Sequence, residues 1–330
     1  MTELNPYEKF AENMLHKESK YIPLILKTLI NDDQANLLVS MPGTVDQLNE
    51  KLGFPKDQIE TYLKDMFIKG LSFKKEKNGV THWRAPAHIA QFHDATIVWK
   101  DAPETFYTYW KNYMEQEWPQ LAPNLTAFMP RPYTRVIPIG KSIDPGKVKV
   151  LSPENIREMI QSSQRVAVTR CTCRVTMKKC DAPIEVCLQI NRGADYTIER
   201  GSGREITKQE ALDIIKIAED AGLVHVAMNK AELGSFICNC CGCCCQSFTL
   251  LISDHVNLCD PSRYAPRIDD SICTGCETCV DRCWFNAISV NSNQIAEINE
   301  SLCMGCGQCA IGCPENAIQM TEVRTEDFIP

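Results

Sequence analysis

The chain has 330 residues, 44% of them hydrophobic and 23% charged, with a formal net charge of −7. That balance excludes disordered and collagen-like classes, and the length allows two or three domains with cores of their own. The anomaly is 19 cysteines, none in the first 170 residues and six crowded between Cys238 and Cys245, where neighbours pair poorly as disulfides. The N-terminus shows no basic stretch followed by an apolar one, and no apolar run reaches ~18 residues. The expectation is a cytoplasmic, reduced, metal-binding protein without a membrane span.

Residues 31–84 carry a helical pattern. Thr44 and Gln47 form a capping box opening a short helix that ends at Gly53, and Pro55 opens a second helix with Ile59, Leu63, Met66 and Phe67 as its apolar stripe. Phe73 and Val80–Trp83 then flank a polar loop, 74–79, ending in the Asn-Gly turn signal. This helix-and-hairpin order is similar to a winged helix-turn-helix domain, which implies a domain over residues 1–96. Such domains often bind DNA, but helix 54–70 balances Lys56, Lys64 and Lys69 against Asp57, Glu60 and Asp65, where a phosphate-neutralising face needs a basic excess. A docking or dimerisation module is the expectation, with nucleic acid not a partner.

Residues 97–150 read as an aromatic-rich connecting segment. Phe106, Trp110 and Tyr113 share one helical face and are expected in the core. Arg135–Ile139 and Lys147–Val150 suggest short strands.

Residues 151–262 form a cysteine-rich α/β domain with two blocks. The first holds Cys171, Cys173, Cys180 and Cys187; the second holds Cys238, Cys240, Cys241, Cys243, Cys244 and Cys245. Val166–Val168 is β-prone, so Cys171 and Cys173 are expected where a strand gives way to a loop. Between the blocks, Thr207 and Glu210 cap a helix of about 15 residues that carries Leu212, Ile215 and Ala218 and ends at Gly222. Ten cysteines, with Cys259 beside them, exceed any packing need. At least one additional iron-sulfur cluster is expected here, with zinc or metal-free reactive thiols as alternatives; six crowded cysteines cannot all ligate one cube. Arg170, Arg174, Lys178 and Lys179 read as surface charge, with stabilisation of thiolates or sulfides, or binding of an anionic substrate, as the functional alternatives, and His225 reads as a core histidine.

The net charge belongs to the C-terminus: residues 266–330 carry 3 Lys+Arg against 10 Asp+Glu, a difference of −7, and the rest of the chain is neutral. Two stretches there match at an offset of 30 residues. Cys273, Cys276, Cys279 and Cys283 are followed by Trp-Phe-Asn-Ala-Ile, and Cys303, Cys306, Cys309 and Cys313 by Pro-Glu-Asn-Ala-Ile, with a glycine before each second cysteine. The CxxCxxCxxxC run offers three thiolates from one tight loop and a fourth pointing elsewhere, whereas zinc wants four ligands at one local site.

The segment resembles a bacterial-type ferredoxin domain with two [4Fe-4S] clusters. The resemblance implies that Cys273, Cys276, Cys279 and Cys313 hold one cluster and that Cys303, Cys306, Cys309 and Cys283 hold the other. The family's proline after the fourth cysteine stands as Pro314 but is Trp284 in the first half. Pairing a CxC with the Cys238–Cys245 block ahead of such a domain resembles a group of anaerobe iron-sulfur proteins, which implies anaerobic redox metabolism.

The fold expected is α+β multidomain: a winged-helix-like N-terminal domain, the cysteine-rich α/β domain, and a ferredoxin-like domain over 263–330. The function expected is iron-sulfur electron transfer between the two C-terminal clusters and a middle one. Redox proteins, a larger oxidoreductase complex or a second copy of the chain are the partners such a module would meet. An iron-sulfur reductase acting on a small substrate and a cluster-dependent transcriptional regulator are the rival readings.

Overall fold

The computed structural model describes residues 4–144, 146 and 148–330 as a mixed α/β chain with fifteen α-helices and several sheets. It divides into two compact units. The first comprises 1–121 with 175–177 and 199–203, and the second the remainder.

The first unit is mostly helical: α1 Pro6–Asn13, α2 Tyr21–Leu29, α3 Asp32–Ser40, α4 Val45–Leu52 and α5 Lys56–Ile68, then the hairpin β1 Phe73–Lys77 and β2 Val80–Arg84, then α6 Ile89–Ile97 and α7 Glu104–Gln116. Thr44 caps α4 through the Gln47 amide, and Gly53 closes it at φ +72°, as the sequence implies. Ile59, Leu63, Met66 and Phe67 are the buried stripe of α5. The hairpin has a shorter loop than expected. Only Asn78 and Gly79 turn, both at positive φ, and the polar residues 74–77 lie in β1 with mostly exposed side chains. A two-residue turn of that hand matches strand twist, so pairing runs up to it. Phe106, Trp110 and Tyr113 are fully buried on α7.

A further helix, α8 Trp118–Phe128, precedes a seven-stranded sheet. Its elements are β3 Thr134–Ile137, α9 Ile156–Ser162, β4 Val166–Thr169, α10 Thr172–Met177, β5 Cys187–Ile190, α11 Arg192–Glu199, β6 Gly203–Glu205, α12 Lys208–Asp220, β7 Val224–Met228, β8 Phe236–Cys240, α13 Phe248–Asp254 and β9 Cys259–Asp260. The strand order is β6-β4-β5-β8-β7-β3-β9, with β3 and β9 parallel and the β4-β5-β8-β7-β3 run antiparallel. The strand expected over Arg135–Ile139 is β3. Of the one expected over Lys147–Val150, Lys147 lies outside the described residues and 148–150 is irregular. Thr207 caps α12, whose buried face is Ala211, Ile214, Ile215 and Ala218, with Leu212 half-buried at its edge.

The C-terminal elements are β10 Tyr264–Ile268, α14 Thr278–Asp281, β11 Ile288–Val290, β12 Ala296–Ile298, α15 Gln308–Gly312 and β13 Ile318–Glu322, with β10 paired to β13 and β11 to β12. The repeat is visible in the backbone. Gly275 and Gly305, one in each cysteine loop, sit at φ +68° and +66°, and a Cβ would stand 2.3 Å from the Gln294 carbonyl oxygen or 2.0 Å from that of Tyr264. Only glycine fits both the conformation and the approach. No helix among the described residues is long and apolar enough to cross a membrane.

Candidate metal centres

Each half of the C-terminal repeat surrounds a cavity. One is lined by Cys273, Cys276, Cys279 and, from the other half, Cys313; the second is lined by Cys303, Cys306, Cys309 and Cys283. The fourth cysteine of each run thus faces the other half's loop, because it follows a short helix, α14 or α15, that leads away from its own. The repeated Asn-Ala-Ile has a local role. Asn286 and Asn316 adopt φ +53° and +55°, which turns the next amide back, so Ala287 N donates to Cys283 Sγ at 3.4 Å and Ala317 N to Cys313 Sγ at 3.3 Å. Amides donating to sulfur stabilise thiolate character and tune a bound cluster. The donor set, four thiols around each cavity, suits a group held by four thiolates.

The first cavity is the outer one. Cys276 is exposed, and Glu277 and Glu315 share the lining. The second lies deep. Val136, Val224 and Val226 of the sheet, Cys240, Cys245 and Cys259 of the middle region, and Phe285, Ala287 and Met304 of the C-terminal region form one buried cluster, with Cys238, Cys283, Cys303 and Cys306 packed against it. Polar contacts fix the same junction. Trp284 Nε1 donates to the Gly222 carbonyl at 2.8 Å, Gln308 Nε2 to that of Leu223 at 2.7 Å, and Arg282 Nη2 to that of Glu219 at 3.2 Å. A Cβ on Gly242, inside the cysteine block, would lie 2.9 Å from the Trp284 ring. Trp284, which stands where the second half has proline, is therefore a docking side chain.

The middle cysteines form two thiol groups. Cys180, Cys241, Cys243 and Cys244 have all four Sγ atoms within 4.8 Å of one another. Cys180 Sγ is 3.8 Å from Cys241 Sγ and 3.9 Å from Cys244 Sγ, and Cys243 Sγ is 3.8 Å from Cys244 Sγ. Hydrogen bonding from Cys244, aided by Arg174, lowers the Cys241 thiol to about 5, so this sulfur is a ready thiolate donor.

The second group is a chain of six. Register sets its centre: Leu188 opposes Ile237, so Cys187 and Cys238 fall opposite each other, with Cys240 two residues along the same face of β8. The Cys187 thiol interacts electrostatically with those of Cys171 and Cys238, Cys240 with those of Cys238 and Cys245, and Cys245 with that of Cys173. The two ends, Cys171 and Cys173, flank the first residue of α10, so the array folds back on itself; Cys173 sits on a helix and not in the expected loop, because α10 starts at Thr172. Hydrogen bonds from Cys173 and Cys240 hold the buried Cys245 well below the ordinary thiol range. Cys259, on β9, is buried in the cluster beside Cys245.

Arg174 departs from the surface role expected of it. It is 2% exposed, and its Nη1 donates to the Asn239 carbonyl at 3.0 Å and to Cys241 Sγ at 3.7 Å. Its Nε and Nη2 are buried with no hydrogen-bond partner among the described residues, and its charge acts on Cys171 and Cys187 as well as Cys241. Unpaired buried donors among thiols suit an acceptor such as cluster sulfide. His225 is a core residue on β7, its Nδ1 donating to Asn239 Oδ1 at 2.6 Å. Sequence patterning offered Arg174 only as one of four basic residues that could stabilise thiolates, and it missed Gly242 and the role of the two asparagines, which depend on partners 30 or more residues away or on backbone angles.

Residues 266–320 match the family described as 4Fe-4S dicluster domain. No curated protein and no solved structure gave a match to the chain. The dicluster domain and the cysteine-rich middle region together point to iron-sulfur electron transfer.

Proposed function

We propose that the chain is an electron-transfer protein or subunit of an anaerobic redox system, in which a surface centre and a deep centre of the dicluster domain connect to an iron-sulfur centre in the middle domain. Cys273, Cys276, Cys279 and Cys313 hold the outer [4Fe-4S] cluster, and Cys303, Cys306, Cys309 and Cys283 the inner one. Four or more of the six-thiol array from Cys171 to Cys245 hold the middle cluster. Such clusters, when bound, supply one-electron uptake and release at potentials set by sulfur hydrogen bonding, burial and charge.

The observation that carries this reading is the shared buried cluster: Cys283, Cys303 and Cys306 pack against the apolar core that contains Cys240 and Cys245. Electrons moving between the two sites would cross packed side chains. At the other end, exposed Cys276 beside Glu277 and Glu315 gives an acidic contact surface, which favours encounter with a basic redox protein. The N-terminal helices and hairpin, winged-helix-like in order, serve as a docking module in the assembly. The reading is tested by anaerobic redox titration followed by EPR: three distinct iron-sulfur centres are expected, and a protein with only the two dicluster signals contradicts it.

A further inference from the structure

The two thiol groups of the middle domain differ in spacing, and spacing separates one metal chemistry from another. Four thiolates around a single tetrahedral ion, with metal–sulfur bonds of about 2.3 Å, stand about 3.8 Å apart along each edge. Four thiolates on a cubane each bind a different iron and stand about 6 Å apart. The closest Cys180, Cys241, Cys243 and Cys244 contacts measure 3.8, 3.9 and 3.8 Å. The dicluster region gives an internal comparison. Among the described residues no other three ligand-type side chains gather within 4.8 Å of one another, so the eight dicluster cysteines, which line open cavities, are held further apart.

We propose that Cys180, Cys241, Cys243 and Cys244 form a closed tetrathiolate site for one zinc ion, separate from the six-thiol array. Three ligands come from the turn after β8, and the fourth from the irregular stretch between α10 and β5. The ion therefore ties a segment without regular structure to the end of the sheet, the work of a structural zinc site. Zinc outcompetes ferrous iron at such ligands by the general affinity order, and Arg174 Nη1 at Cys241 offsets part of the double negative charge that four thiolates leave on a divalent ion. This inference does not rest on the electron-transfer reading.

The test is metal content of the full chain, produced with both iron and zinc supplied and purified without oxygen, together with zinc K-edge absorption. The expected result is one zinc per chain with four sulfur neighbours at about 2.3 Å, lost in Cys244→Ser while iron is retained. A wild-type chain lacking stoichiometric zinc, or a Cys244→Ser chain that loses about four iron, overturns the proposal. Should the variant fail to fold, the absorption spectrum of the wild-type chain decides alone. Cys187→Ser separates the two readings: it removes iron and leaves zinc if the array is a cluster site, and a chain with zinc but no third iron-sulfur centre refutes only the electron-transfer reading.

Discussion

Arg174 Nη1 lies 3.7 Å from Cys241 Sγ, and the same buried guanidinium acts on Cys171 and Cys187 of the other thiol group. The cation favours the more negative, reduced form of a cluster held beside it. Arg174→Met is therefore expected to lower the midpoint potential of the middle centre by tens of millivolts and leave both dicluster potentials in place. EPR-monitored redox titration measures this, and an unmoved middle potential would remove Arg174 from the account.

The fourth cysteines cross between halves. Cys313→Ser is expected to damage the outer cluster, whose other proposed ligands are Cys273, Cys276 and Cys279, and Cys283→Ser the inner one, each change costing up to about 4 iron per chain. Iron analysis with EPR of each variant checks the assignment. Loss of the inner signal in Cys313→Ser would show ligation within each half.

Trp284 docks the dicluster region on the cysteine block. Trp284→Ala removes its indole hydrogen bond to Gly222 and its packing against Gly242, at an expected cost of about 2–3 kcal/mol to that junction. Both dicluster EPR signals should persist, while stopped-flow reduction of the middle centre by the dicluster pair slows. An unchanged rate would mean that the contact does not govern the pathway.

Arg263 is fully buried and pairs with Glu154 at 3.0 Å and Glu322 at 2.9 Å. Glu154→Gln leaves the guanidinium short of charge compensation, with an expected loss of about 3 kcal/mol seen as a lower melting temperature. The double variant Glu154→Leu with Arg263→Met should recover much of it. No recovery in the double variant would place the cost in backbone distortion.

The sequence was most legible where structure is local. The caps at Thr44 and Thr207, the α5 stripe and the Asn78-Gly79 turn each depend on residues within a few positions of one another, and the dicluster loops repeat a fixed spacing. The array from Cys171 to Cys245 was not legible because β5 meets β8 across about 50 residues, and register alone brings Cys187 beside Cys238. Arg174 looked like one of four basic surface residues. Its burial follows from lying on α10 against β8, a packing that no periodicity in its own segment announces.

Iron and acid-labile sulfide per chain, on anaerobically purified protein, decide whether the six-thiol array carries a cluster beside the dicluster pair. The account predicts about 12 of each: two clusters in the dicluster domain and one in the six-thiol array. About 8 of each, with both dicluster signals intact, would contradict it and leave the middle cysteines without a redox centre.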